Sequence, residues 1–284
     1  VMRRAVPPHG AARDEYAVFT GLAERLGVAE EFTEGRDARQ WLRHLYEEWR
    51  QRQGPDSGLA DFDGFWAAGG VDLPNRVADT TLFGEFRADP LAHPLGTPSG
   101  RIELYSETVA GFRYPDCPGH PVWLDPPERP GTELARRWPL TLVANQPRER
   151  LHSQQDMGAY SRAGKVADRA PVRLHPDDAA ARGIANGDVV RLYNDRGSCL
   201  AGAVLDDGVR PGVVQLSTGA WFDPSSPEAT CVHGNPNAVT ADVGTSRLAQ
   251  GCTGQLALVQ VERFDGTPPP VRAFVPPRIV DRAE

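Results

Sequence analysis

Apolar positions in the first part of the chain follow a helical period. Tyr16, Phe19, Leu22, Ala23 and Leu26 recur at that spacing, and Gly27 stands where a left-handed residue would end the helix. A second helix is expected from near Asp37, with Trp41, Leu42, Leu45 and Trp49 as its apolar stripe and Gly54-Pro55 as its stop. Asp61 can cap a short third helix carrying Phe62, Phe65 and Trp66, closed by Gly69-Gly70. Aromatics at this spacing are expected in a core.

The pattern changes after Pro90. Pro98-Ser99-Gly100 predicts a tight turn, and Ile102 and Leu104 alternate with Arg101, Glu103 and Tyr105 as a half-buried strand does. Ser106-Glu107-Thr108 opens a short helix that reaches Phe112, and the Pro-rich stretch 115–139 is expected to be an ordered loop. From Leu140 onward the alternation predicts short strands at Leu140–Ala144, Pro171–Leu174, Val189–Asn194, Ser198–Leu205, Val213–Leu216 and Gln255–Glu262. A helical turn at His175–Gly183 and turn residues at Asn186-Gly187-Asp188, Asp195-Arg196-Gly197 and Pro211-Gly212 separate them. Short strands with turns at this frequency suggest a barrel or sandwich. The tail from Gly266, with Pro268-Pro269-Pro270 and Pro276-Pro277, is expected to be extended and partly disordered.

Composition narrows the functional classes. A length of 284 residues suggests roughly two domains, or one domain plus a partial one. With 31 Lys+Arg against 38 Asp+Glu the chain carries a formal charge of −7, which argues against nucleic acid or a membrane surface as partner. No apolar run is long enough to insert into a bilayer. Lys165 is the sole lysine, so nearly every basic contact is an arginine fork suited to phosphate or carboxylate. Cys117, Cys199, Cys231 and Cys252 are far apart with no Cys-x-x-Cys pair, which predicts unpaired thiols and no zinc ribbon. The opening Val1-Met2 has no apolar leader behind it and reads as mid-protein.

The chain lacks Gly-x-Gly-x-x-Gly, a P-loop, His-Glu-x-x-His and Gly-x-Ser-x-Gly. Two polar segments within the β region carry the remaining chemistry. One runs from Asn145 through Gln146, Arg150, His152, Ser153 and Gln154 to Asp156; the other runs from His233-Gly234-Asn235-Pro236-Asn237 through Thr245 and Ser246 to Gln250-Gly251. Carboxamides donate and accept at once, so they can read the edge of a fused pyrimidine ring. Arginine and backbone amides can hold a pyrophosphate. Asx-turns would account for the same residues equally well.

Several ordered motifs resemble a known family. They are Phe32-Thr33-Glu34-Gly35-Arg36 with Trp41-Leu42, Thr97-Pro98-Ser99-Gly100-Arg101-Ile102-Glu103, Asp116-Cys117-Pro118-Gly119-His120-Pro121, Arg150-Leu151-His152-Ser153-Gln154, and His233-Gly234-Asn235-Pro236-Asn237 with Gly244-Thr245-Ser246-Arg247-Leu248-Ala249-Gln250-Gly251. The set resembles the C-terminal portion of the molybdopterin oxidoreductases, in the branch of dimethyl sulfoxide, trimethylamine N-oxide and biotin sulfoxide reductases.

That resemblance implies an α/β partial domain followed by a double-psi β-barrel of the molybdopterin dinucleotide-binding type. Residues 1–136 would be the closing part of preceding catalytic domains, 137–264 the barrel and 265–284 a Pro-rich tail. It implies bis(molybdopterin guanine dinucleotide) and molybdenum as cofactor, an S-oxide or N-oxide as substrate, and a separate electron donor. The family's molybdenum-ligating serine would lie upstream, so no catalytic residue or metal ligand is expected here, and neither Cys199 nor Cys231 replaces it. The chain is expected to be a portion of an enzyme, inactive alone. Cofactor contacts implied for this sequence are Asn145, Gln146, Arg150, His152, Ser153, Gln154, Asn235, Asn237, Thr245, Ser246 and Gln250, with Asn237 and Gln250 as readers of the pterin edge. Trp221 would either wall the cofactor or pack in the core. The rival readings are a formate dehydrogenase- or nitrate reductase-like enzyme, and a barrel that kept the fold and lost the chemistry.

Overall fold

The computed structural model describes residues 1–73, 81–225, 230–251, 253 and 256–276. Cys252, Gln255 and the tail beyond Pro276 lie outside them. The chain forms two units, residues 1–94 and 95–284.

The first unit is helical, and its helices start where the sequence supplies caps. Helix α1 (Glu15–Leu26) begins at Asp14, whose carboxylate accepts from the Ala17 N–H, and ends at Gly27 with φ 75°. Helix α2 (Ala29–Thr33) follows directly. Helix α3 (Ala38–Gln53) opens with a reciprocal capping box between Asp37 and Gln40, both bonds 2.8 Å. Asp61 caps α4 (Phe62–Ala68), and α5 (Gly84–Ala88) closes the unit. Phe62 is buried, with Tyr46 and Trp66 as ring neighbours. The stripe expected on α3 is only partly covered: Trp41 and Trp49 are half-buried, whereas Leu42 and Leu45 are exposed. The helices among the described residues of this unit have too little surface to cover every apolar face among themselves.

In the second unit, the expected strand at 101–105 does not form. Ile102 and Leu104 are exposed, at 71% and 81%. The backbone here is satisfied locally: Thr97 Oγ1 donates to the Arg101 carbonyl at 2.6 Å, and the Ser99 N–H donates to Glu103 Oε1 at 2.8 Å. Alternation marks a face, but among the described residues no neighbouring strand pairs with it, and side-chain bonds offer the backbone another partner. Helix α6 (Glu107–Gly111) lies where expected, and α7 (Glu133–Arg137), capped by Thr132, interrupts the stretch expected to be loop.

The strands are β1 (Leu140–Val143), β2 (Pro171–Leu174), β3 (Val189–Asn194), β4 (Gly197–Leu205), β5 (Val213–Leu216) and β6 (Leu256–Arg263). They form a closed barrel in the order β1-β5-β2-β4-β3-β6, with β6 returning to β1. The pairs β1–β5 and β2–β4 are parallel, in register Thr141↔Val213 and Val172↔Ala203; the others are antiparallel. Helices α8 (Ala159–Ala163) and α9 (Pro176–Ala180) sit in the connections. Alternate residues fill the interior: Leu142, Val172, Leu174, Val190, Leu192, Ala201, Ala203, Val214, Leu216 and Val259 are fully buried. Each buried Leu or Val contributes about 1.5–3 kcal/mol. Cys199 and Cys231 belong to this core and, with Cys117, are free thiols. Burial pushes the Cys199 thiol well above its ordinary range.

Candidate functional site

Because β1 and β5 run parallel side by side, the loops that follow them leave the barrel at the same end. The Thr218 N–H donates to the Asn145 carbonyl at 2.9 Å and ties the two loops together. The Asn145 side chain completes the tie, accepting on Oδ1 from Gln215 Nε2 at 2.8 Å and from Ser217 Oγ at 3.2 Å. Gly219 allows close approach. It has φ 89°, and a Cβ there would collide with the His152 carbonyl oxygen.

A cavity of ≈ 480 Å³ opens at this junction, lined by His152, Ser153, Thr218, Gly219, Ala220, Trp221, Phe222, Asn235 and Asn237. His152 is exposed and held at φ 49°. Asn235 is a turn-former. Its Oδ1 accepts from the Asn237 N–H at 2.9 Å and its Nδ2 donates to the Ala220 carbonyl at 2.8 Å. That turn leaves Asn237 exposed, and its carboxamide makes no hydrogen bond among the described residues. Phe222 is 56% exposed and adds an aromatic face beside Trp221.

A buried charge cluster lies behind Trp221. The Asp156 carboxylate is fully buried, and the sole lysine, Lys165, donates to its Oδ1 at 2.8 Å. Arg150 approaches the same oxygen at 3.5 Å and donates from Nη2 to the Thr218 carbonyl at 2.8 Å. The Trp221 N–H donates to Asp156 Oδ2 at 3.0 Å. Burial opposes ionisation of Asp156; the Lys165 ammonium, the Trp221 N–H and Arg150 outweigh it and hold the carboxyl below the usual carboxylate range. His233, also fully buried, bonds through Nδ1 to the Trp221 carbonyl at 2.9 Å. A carbonyl only accepts, so Nδ1 carries the hydrogen. Burial and the nearby Lys165 charge lower the His233 pKa, so the ring is held neutral.

The residues implied by sequence fall into three places. His152, Ser153, Asn235 and Asn237 line the cavity. Asn145, Gln146 and Arg150 make intramolecular bonds beneath and beside it, with Gln146 Nε2 donating to the Arg150 carbonyl at 3.3 Å; Gln154 is exposed on the same loop. Thr245, Ser246 and Gln250 form a separate turn. Thr245 Oγ1 donates to the Ala249 carbonyl at 2.7 Å and Gln250 Nε2 to the Ser246 carbonyl at 2.8 Å, while Asp116 accepts the Arg247 N–H at 3.0 Å. Sequence reading passed over Phe222, Asp156 and Lys165 as contributors. The lone lysine was the available signal, since a cation used once in an arginine-rich chain marks a particular position.

Residues 140–257 match the family described as the molydopterin dinucleotide binding domain. Over 99% of its length the chain is 43% identical to a dimethyl sulfoxide/trimethylamine N-oxide reductase of Rhodobacter capsulatus, covering 34% of that protein. It is 46% identical over 93% of its length to a biotin sulfoxide reductase of Cereibacter sphaeroides, covering 36% of it. It is 41% identical over 98% of its length to a trimethylamine-N-oxide reductase of Haemophilus influenzae, covering 35% of it. Among solved structures, acetylene hydratase from Pelobacter acetylenicus superposes with a TM-score of 0.67 at 19% identity, over 92% of this chain and 34% of that one, a likeness of fold. The chain spans about a third of the length of the curated relatives it matches. The six-stranded double-psi β-barrel thus matches the molydopterin dinucleotide binding domain family over residues 140–257, and nearly the whole chain is similar to about a third of the length of these reductases.

Proposed function

We propose that the chain is the cofactor-binding portion of a molybdenum oxidoreductase that reduces S-oxides or N-oxides by oxygen-atom transfer. The observation that carries this is the identity of 43% to a dimethyl sulfoxide/trimethylamine N-oxide reductase over 99% of the chain. Residues 137–264 would hold bis(molybdopterin guanine dinucleotide), residues 1–136 would belong with preceding catalytic domains, and 265–284 would be a tail.

The residues of the cavity fit such a group. Its ≈ 480 Å³ suits one fused ring system, the Trp221 and Phe222 faces suit stacking, and the Asn237 carboxamide, which makes no hydrogen bond among the described residues, suits a ring edge that both donates and accepts. Ser153 and His152 at the rim supply hydrogen bonds for phosphate or hydroxyl oxygens. Arg150 and Asn145 act one layer down, fixing the two loops against each other. Molybdenum, when bound through its dithiolene ligands, supplies the oxygen-atom transfer chemistry. The reaction takes two electrons and two protons per oxide and yields the reduced product and water, which is why an electron donor is required.

The test is Asn237→Ala in the full-length enzyme. The expected result is lower molybdenum and guanine nucleotide content, with an unchanged unfolding midpoint of the cofactor-free protein because Asn237 is exposed. Unchanged cofactor content and turnover would remove Asn237 from the site.

A further inference from the structure

The Trp221 residue is fixed at three points. Its N–H donates to Asp156 Oδ2 at 3.0 Å, its carbonyl accepts from His233 Nδ1 at 2.9 Å, and its indole Nε1–H donates to the Ser153 carbonyl at 2.8 Å. The first two partners are fully buried, and the third lies on the cavity rim. Phe274 packs against both Trp221 and His233, with ring centroids 5.9 and 4.8 Å away. A residue that merely filled space would not need the backbone N–H and carbonyl on either side of its Cα both held by buried polar groups, since each such group costs free energy to bury.

We propose that Asp156 is a positioning residue that sets Trp221 as the stacking face for a planar heteroaromatic ring in the cavity. The inference rests on reading that cavity as part of the cofactor site. Trp221 supplies a large, rigid face, and base-on-aromatic stacking depends on the ring being held in place. Lys165 keeps Asp156 ionised and fixed, so that the carboxylate's second oxygen points at the Trp221 peptide.

The test uses the full-length holoenzyme and reads molybdenum and guanine nucleotide per chain, the rate of nucleotide release, and the unfolding midpoint. Two variants balance charge while differing in one bond. D156N/K165M keeps an oxygen for the Trp221 N–H; D156L/K165M removes it at similar volume. D156N/K165M should retain the cofactor as wild type does, and D156L/K165M should release it about tenfold faster, the size of a lost stacking contact. If the leucine pair does not accumulate, Asp156→Glu takes its place. It keeps the ion pair but displaces the carboxylate, and it should release the cofactor faster too. Equal release rates in the asparagine pair and its comparator would overturn the positioning role, since a purely structural pair would change only the unfolding midpoint. Trp221→Leu separates the two levels. If it and Asn237→Ala both leave nucleotide content intact, the reading of the cavity fails. If Trp221→Leu lowers content and the Asp156 variants do not, only the positioning inference fails.

Discussion

Arg196 meets Glu128 as a two-point fork, with Nη1 on Oε1 at 2.7 Å and Nη2 on Oε2 at 2.8 Å. Glu128 Oε2 also accepts the Leu258 N–H at 2.8 Å, so one carboxylate joins the β3–β4 turn to β6. Arg196 Nε adds a bond to the Val239 carbonyl at 2.9 Å. Lysine carries the same charge but cannot make the fork. Arg196→Lys should therefore lower stability by about 1–2 kcal/mol, read as a shift in urea midpoint at constant slope. An unchanged midpoint would mean that solvent screens the pair, which is partly exposed, and that the fork contributes little.

Gly219 is expected to be the least replaceable glycine at the site. Its φ of 89° disfavours any side chain, and an added methyl would collide with the His152 carbonyl. Gly219→Ala should cost about 2 kcal/mol or more and should lower cofactor content as the two loops part. Gly212 has a similar φ of 83° but open space around it, so Gly212→Ala should cost about 1 kcal/mol and spare the cofactor.

Removing one partner of the buried pair should be more damaging than removing both. Lys165→Ala leaves the fully buried Asp156 with Arg150 at 3.5 Å as its remaining cation and should cost about 3–5 kcal/mol. Lys165→Met with Asp156→Asn should recover most of that loss in a thermal or urea melt. A double variant as unstable as Lys165→Ala would show that the charges themselves stabilise this loop.

Stability should fall with acidification in two stages. His233 is held neutral in the folded chain by burial and by the Lys165 charge, whereas unfolded histidine titrates near 6.5. Below that pH the unfolded chain binds a proton that the folded chain refuses, so stability drops as pH falls from 6.5 toward the lower native value. The second stage comes from Asp156 and Glu128. Burial opposes ionisation of both, and their hydrogen bonds and cations outweigh it, so both titrate below the unfolded values of 3.8 and 4.5. Their contribution is full above those values and is lost as pH falls through the native ones. Urea midpoints measured at successive pH values should show both limbs, and His233→Gln should flatten the upper one alone.

Much of the barrel was legible along the chain. Pro171–Leu174, Val189–Asn194 and Val213–Leu216 carry period-two alternation between turn dipeptides, and they pair over those residues. Capping was legible too, at Asp37 and Asp61. Ile102 and Leu104 misled because alternation says nothing about whether a partner strand exists. The polar loops were legible as a group, but not the division of labour within them. Arg150 looks like a phosphate fork in sequence; in the fold its guanidinium is buried beside Asp156 and bonded to Thr218. Which polar groups face the cavity depends on the parallel pairing of β1 with β5, and that pairing joins segments far apart in the chain.

The return of β6 to β1 also sets an order of events at the ribosome. Leu140 pairs with Val259, so the first strand made has no antiparallel partner until the last one emerges. Until then β1 and β3 both present open edges, the surfaces on which nascent chains join one another. A polypeptide released by a stop codon, or cut by a protease, ahead of Leu256 loses both seams at once. Such a product should be removed as an aggregate or by degradation rather than persist as a shortened barrel.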